Sequence, residues 1–351
     1  MSLRGLLCGY YGCGNLGDEA VLGGIVNSWA QQFGDSNGLV ALSGAPASTE
    51  TSHGIRAVPR MDVRAVRAAI AETDVAVSGG GSLFQDATSV RSLLYYAGYL
   101  WLARRMGRPA VIYAQGVGPL RRPLSRTITA AAFRTAALVT VRDVESAELV
   151  RRIGGAAARL EVTADPAFAL PERPQTEPSG GLAVLALRTW GSVRTPADAA
   201  ESVRAVRAEG LHRVALLAMH AGEDETLARE AAALAGDGCF VAQVPDVGSA
   251  LGLVRCADLV VAMRLHALVF AVMSATPVVA LSYDPKVKSF MSSARLSAYC
   301  TEEFDSARVQ ALCKSALVAA PEIRRLQIAR SVELRRDALR TAALVAEVVA
   351  R

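Results

Sequence analysis

Four side chains that could hold an anion stand at the ends of short apolar runs. Arg142 follows Leu138 to Val141, Arg264 and His266 follow Asp258 to Met263, and Lys286 lies just past Val278 to Leu281. An Arg and a His at the mouth of an otherwise apolar stretch need a partner there, because a lone buried charge is costly. Together the four describe a site for a compact polyanion, with Arg offering a bidentate fork and Lys a point charge. Arg142 also has a plain alternative: Asp143 follows it directly, as an ion-pair partner or as an N-cap for the helical pattern beyond.

Glycine-rich loops occupy equivalent places. Gly12, Gly14 and Gly17 satisfy G-x-G-x-x-G at the opening of a helical pattern, with Asp35 further on as a ribose-binding acid would be. Asp18 and Glu19 follow at once and would repel a pyrophosphate seated on that helix end. They read either as ordinary first-turn helix stabilisers or, with Asn15 and Asp18 facing outward, as partners for sugar hydroxyls. Gly79, Gly80 and Gly81, followed by Ser82 and Asp86, carry a high entropy cost that implies positive φ or close backbone approach to a ligand. Gln115-Gly116-Val117-Gly118 and Asp165-Pro166 punctuate two further strand ends.

The elements that must position these residues alternate short β-branched runs with longer helical patterns, the signature of βαβ units and parallel sheets. Strands are expected near Gly5 to Gly9, Leu39 to Leu42, Asp74 to Ser78, Ala110 to Ala114, Leu138 to Val141 and Leu160 to Thr163. A second series is expected near Leu182 to Leu187, Val214 to Ala218, Phe240 to Val244, Leu259 to Ala262 and Val278 to Leu281. Between the series, Pro171 to Gly181 has three Pro and two Gly and no period, which marks a linker. The reading is therefore α/β, with Rossmann-like domains over 1–170 and 182–351, the second ending in a helical tail. In such sheets ligands bind beyond the carboxyl ends of the strands, so two domains would face a cleft.

With 52% hydrophobic and 20% charged residues over 351 positions, wholesale disorder is excluded. The net charge of +5 is dispersed through helical patterns rather than gathered on a face, which argues against nucleic acid. Six Cys form no C-x-x-C pair and no zinc spacing with His, so neither a metal nor a disulfide framework is expected. The most apolar stretch, Ala257 to Leu281, is broken by Arg264, His266 and Pro277 and does not read as a membrane span. The first residues offer no secretory core, and a cytoplasmic protein is expected.

GYYGCGNLGDEA, SGGGSLFQD, AQGVGPL, VRDVES, TADPAFAL, MRLHAL and YDPKV, in this order, resemble the polysaccharide pyruvyl transferase family over about residues 5 to 290. The likeness is to the CsaB type in particular, which modifies secondary cell-wall polymers in bacteria and so serves S-layer anchoring. The resemblance implies a GT-B-like fold and transfer of pyruvate from phosphoenolpyruvate, a co-substrate, onto a sugar as a ketal, with no further cofactor. It assigns Arg142, His266 and Lys286 to phosphoenolpyruvate, with Arg264 beside them. Gly14, Asn15, Gly79, Gly80, Gly81, Ser82, Asp86 and Gln115 fall to the acceptor sugar or to the backbone of the loops beside it. Within that chemistry His266 is the candidate general acid or a phosphate ligand, and Asp18, then Asp165 or Asp86, the candidate base. Position 13, often aromatic in relatives, is Cys here.

The implied acceptor is a lipid-linked saccharide precursor bearing N-acetylmannosamine, from which the sequence does not distinguish another sugar with free 4- and 6-hydroxyls. It would bring the protein to the inner face of the membrane, where the Arg-rich tail helices either assist or, the plainer reading, present a solvated face; an oligomer is compatible with the sequence. The rival readings are a GT-B glycosyltransferase or epimerase using a nucleotide sugar, a nicotinamide oxidoreductase, and a non-catalytic binder of anionic polymer or membrane.

Overall fold

The computed structural model describes residues 3–87, 89–155, 159–172, 178–189 and 195–350. The chain divides into two compact units, one of Met1–Pro171 with Leu334–Arg351 and one of Glu172–Glu333. Positions 173–177 of the expected linker lie outside the described residues.

The first unit holds β1 (Gly5–Tyr11), β2 (Leu39–Ser43), β3 (Arg56–Pro59), β4 (Val75–Gly79), β5 (Ala110–Gln115), β6 (Leu138–Val141) and β7 (Leu160–Val162). They form one sheet in the order β3-β2-β1-β4-β5-β6-β7, with every pair parallel. The crossovers are α1 (Leu16–Phe33), α2 (Pro46–His53), α3 (Val63–Glu72), α4 (Val90–Arg105), α5 (Pro123–Arg134) and α6 (Val144–Arg152). Both faces of the sheet are covered. Leu6 and Cys8 pack into a cluster with Leu93, Leu100 and Phe133, while Leu7 and Tyr11 pack with Ile25 and Trp29 of α1. This alternation is the period of two that a strand imposes, and double-sided burial is why these strands read as continuous apolar runs.

The second unit holds β8 (Leu182–Ala186), β9 (Arg213–Leu216), β10 (Cys239–Val241), β11 (Leu259–Ala262), β12 (Val278–Leu281) and β13 (Cys300–Thr301). Their order is β10-β9-β8-β11-β12-β13, again parallel throughout. Its helices are α7 (Pro196–Arg207), α8 (Glu223–Ala235), α9 (Val247–Arg255), α10 (Leu265–Met273), α11 (Pro285–Ser293) and α12 (Ser306–Val318), followed by the long α13 (Ala320–Val349). Each sheet contains the doubly wound order, which reverses between β1 and β4 in one and between β8 and β11 in the other. Such reversal points are where open α/β sheets bind ligands, beyond the strands' carboxyl ends.

The tail departs from expectation. It was assigned whole to the second domain, but Leu344 and Val345 of α13 are buried in the α1 face of the first sheet. Arg340 pairs with Glu161 at 2.7 Å and Arg159 with Glu347 at 2.6 Å, so tail charges are engaged by the first unit. Amphipathic periodicity says that a helix has an apolar face, not which core receives it. The six cysteines are all free, and among the described residues no helix is long and apolar enough to cross a membrane.

Candidate active site

At the reversal point of the first sheet the chain leaves β1 through Gly12, at φ 66°, and Gly14, at φ 72°, both conformations that glycine adopts without strain. The Gly12 N–H donates to Glu19 Oε1 at 2.8 Å, and Glu19 Oε2 meets His53 Nε2 at 2.9 Å, so Glu19 braces the loop. Asn15 caps α1, its Oδ1 accepting from the Gly17 N–H at 2.9 Å. Its amide nitrogen and the second lone pair of Oδ1 remain for the sugar contact expected of it.

The neighbouring glycine triplet serves packing first. Tyr11 donates its hydroxyl to the Gly79 carbonyl at 2.8 Å, and a Cβ on Gly79 would come within 2.7 Å of that hydroxyl. A Cβ on Gly80 would stand 2.0 Å from Val21 Cγ1 of α1. Gly81 differs: the atom nearest its missing Cβ is Asp18 Oδ1, at 3.0 Å, which places the first-choice base beside the loop.

From Gly81 a polar chain runs along the strand ends. The Gly81 carbonyl accepts from Gln115 Nε2 and from the Gly116 N–H, both at 2.8 Å. Arg142 donates through Nη2 to Ser82 Oγ at 2.9 Å and through Nη1 to Asp165 Oδ2 at 2.8 Å. Asp165 Oδ1 accepts the Ala167 N–H at 3.1 Å, capping the turn Pro166–Ala169. Gln115, Ser82, Arg142 and Asp165 were read as separate candidates, and the structure joins them.

That joining corrects several expectations. Gln115 is fully buried and holds the loop backbone, one of the two roles read for it. Asp165 is 5% exposed with both oxygens engaged, an environment for a lock rather than a base. Arg142 pairs with Asp165 at 2.8 Å and also with adjacent Asp143, whose Oδ2 lies 3.7 Å from Nε while its Oδ1 caps α6 through the Ser146 N–H at 2.7 Å, so both roles read for Asp143 are present. Asp86, the other candidate base, accepts the backbone N–H groups of Arg121 and Arg122 at 2.9 and 2.8 Å. Burial alone would raise its pKa; those two donors, together with the Ser125 hydroxyl and the Arg122 charge, outweigh burial and hold it below the usual carboxylate range.

In the second unit Arg264 sits at the N-cap of α10, immediately past β11. Its guanidinium grips Asp224 of α8, Nε to Oδ2 at 2.8 Å and Nη2 to Oδ1, and Asp224 is 1% exposed along its side chain. Asp224 Oδ2 also accepts the His220 N–H at 3.0 Å. Arg264, expected on the donor, therefore braces the β9 and β11 ends. His266 is half-buried in the first turn of α10.

Past β12, Tyr283 gathers two cations. Lys286 Nζ lies 5.8 Å from its ring centre and Arg188 Cζ 5.3 Å, with Arg188 Nη1 donating to the Tyr283 hydroxyl at 3.3 Å. Lys286 is held only loosely, 3.7 Å from Asp284 Oδ2, and its side chain is 30% exposed. Arg188 follows β8, at the reversal point itself, and sequence reading missed it. Inspecting the residues after that strand as closely as those after β11 would have found it. Asp224 gave no such signal, because an acidic first turn of a helix is ordinary.

Comparison with known proteins bears on both clusters. The family description "Polysaccharide pyruvyl transferase" matches residues 15–285, from the cap of α1 to the start of α11. Among curated proteins no sequence matches significantly. Among solved structures, Anabaena HepE in complex with UDP-glucose is similar at 15% identity and a TM-score of 0.65, covering 99% of each chain. The UDP-GlcNAc 2-epimerase of Neisseria meningitidis aligns at 7% identity and a TM-score of 0.65, over 99% of this chain and 100% of that one. A glycosyltransferase from Rickettsia africae aligns at 10% identity and a TM-score of 0.62, over 100% of both. These likenesses show the fold alone, which is GT-B-like. The match over 15–285 spans the glycine triplet 79–81, the Arg142 chain and the Arg264–His266 turn, and the chain belongs to the polysaccharide pyruvyl transferase family, a family of enzymes that transfer pyruvate to polysaccharide.

Proposed function

We propose that the donor is phosphoenolpyruvate and that the second unit binds it through Lys286, Arg188 and His266. The observation that carries this reading is the pair of cations on Tyr283 with His266 one strand end away. A carboxylate and a phosphate bring about three negative charges, and each charge-assisted hydrogen bond contributes about 1.5 to 3 kcal/mol. Arg142, which the resemblance assigns to phosphoenolpyruvate, is engaged by Ser82 and Asp165 within the first unit.

The reaction runs by proton delivery to the methylene carbon of phosphoenolpyruvate, for which His266 is our candidate acid. C2 becomes electrophilic, a sugar hydroxyl adds there and gives up its proton, and a second hydroxyl then displaces inorganic phosphate to close the ketal. Asp18, beside Gly81 in the first unit, is our base for the acceptor hydroxyls. The acceptor is a lipid-linked cell-wall precursor bearing N-acetylmannosamine with free 4- and 6-hydroxyls, met at the inner face of the membrane in the service of S-layer anchoring. No further cofactor takes part.

The test is incubation of the full chain with phosphoenolpyruvate and synthetic precursors. Phosphate release matched by a mass gain of one pyruvyl group supports the reading. Stabilisation by UDP-sugars with no phosphate release overturns it in favour of nucleotide-sugar chemistry.

A further inference from the structure

On the β3 side of the glycine loop, Arg60 stands among three tyrosines. Its guanidinium carbon lies over the rings of Tyr10, Tyr95 and Tyr96, 5.6, 4.8 and 5.9 Å from their centres. Nη1 donates to Cys13 Sγ at 3.4 Å and Nη2 to the Tyr96 hydroxyl at 3.3 Å, both long contacts to neutral partners. A guanidinium has five N–H donors, and its contacts with Cys13, Tyr96 and Tyr95 do not exhaust them.

Among the described residues no carboxylate pairs with this cation. Asp62, close by in sequence, spends Oδ1 on the Arg64 and Ala65 N–H groups at the start of α3. Glu19 is taken by Gly12 and His53. A half-buried guanidinium facing only rings, a thiol and a phenol recovers part of its lost hydration through cation–π contact and keeps unspent donors. The side chain is also anchored at its root. The Arg60 N–H donates to the Ser43 carbonyl and the Tyr95 hydroxyl donates to the Arg60 carbonyl, each at 3.0 Å. Tyr10 is 37% exposed, so part of its ring is open beside the cation. An anchored fork with spare donors next to an accessible ring suits an oxyanion attached to a sugar.

We propose that Arg60 and Tyr10 form a subsite for a phosphate group carried by the acceptor, with the Tyr10 ring against the attached sugar. This rests on the reading that the first unit takes the acceptor. It also gives Cys13 a role, since a small thiol in contact with Nη1 leaves the fork more room than an aromatic ring would. An alkyl diphosphate and a nucleoside diphosphate share the required chemistry.

Titration calorimetry of the full chain with inorganic pyrophosphate, geranyl diphosphate and UDP tests the subsite, using wild type, Arg60→Gln, Arg60→Lys and Lys286→Gln. Arg60→Gln is expected to weaken diphosphate binding at least tenfold, Arg60→Lys by less, and Lys286→Gln not at all, with phosphoenolpyruvate affinity unchanged in Arg60→Gln. Tighter binding of geranyl diphosphate or of UDP supports the subsite in either case and identifies the source of its phosphate. Equal diphosphate affinity in wild type and Arg60→Gln, or a loss confined to Lys286→Gln, overturns the proposal. Should Arg60→Gln fail to fold by circular dichroism, Arg60→Lys decides, and wild-type affinity there is the overturning result. A protein that binds diphosphate through Arg60 yet never releases phosphate from phosphoenolpyruvate refutes the donor reading and leaves the subsite standing.

Discussion

Arg142 and Asp165 meet at 2.8 Å between the end of β6 and the turn after β7, their side chains only 6% and 5% exposed. Removing one partner of a buried pair strands the other charge, at a cost of about 3 to 5 kcal/mol. Arg142→Ala and Asp165→Asn are therefore expected to lower the urea midpoint at unchanged slope, and the double variant Arg142→Met/Asp165→Leu to recover most of the loss. An Arg142→Ala protein as stable as wild type would refute the pair as a closed lock. Loss of phosphoenolpyruvate binding in Arg142→Ala is informative only after that stability measurement.

Asp86 gives a pH signature. Its carboxylate is 7% exposed and accepts two backbone N–H groups that Asn, with one carbonyl oxygen, cannot both satisfy. Asp86→Asn is expected to cost about 1 to 3 kcal/mol at neutral pH. Because the folded pKa is lowered, the contribution is complete above the unfolded value of about 3.9 and fades as pH falls through the lower folded one. The gap between wild type and Asp86→Asn in urea should thus close only in acid. A gap that stays constant down to pH 2 would exclude the carboxylate as its source.

Double-sided burial made most strands legible in the sequence as continuous apolar runs. The edge strand β3 was not: Arg56-Ala-Val-Pro59 is four residues long, exposed at both ends, and closes on a proline. Its omission hid Arg60, which follows directly, and with it the tyrosine cluster. The strand-end rule found Arg142, Arg264, His266 and Lys286, but spacing along the chain does not reveal which cation already has a carboxylate. Arg142 and Arg264 are bound by Asp165 and Asp224, residues 23 and 40 positions away in sequence. Lys286 and the overlooked Arg188 also share the Tyr283 ring, with Asp284 Oδ2 3.7 Å from Lys286 Nζ.

Gly81 tests the base assignment from the other side. At φ 73° it disfavours any side chain by about 1 to 2 kcal/mol, and an added Cβ would press on Asp18 Oδ1 at 3.0 Å. Gly81→Ala and Asp18→Asn should both depress pyruvyl transfer while leaving phosphoenolpyruvate affinity intact, the first with a stability loss as well. Full turnover in Asp18→Asn would remove Asp18 from the chemistry and return the search to the water-exposed groups of the same loop.

The second unit's residues should separate by kinetic effect. If His266 delivers the proton to the methylene carbon, His266→Ala lowers kcat by about 10² to 10⁴ with a smaller change in phosphoenolpyruvate KM. Lys286→Ala and Arg188→Ala remove charges that meet donor and transition state alike, so they are expected chiefly to raise that KM. Tyr283→Phe keeps the ring under both cations and loses the 3.3 Å hydrogen bond from Arg188, so its effect should be a fraction of that of Tyr283→Ala. Steady-state kinetics on the four positions decides the matter. A kcat defect in Lys286→Ala matching that of His266→Ala, at unchanged KM, would move Lys286 from donor binding to the protonation step.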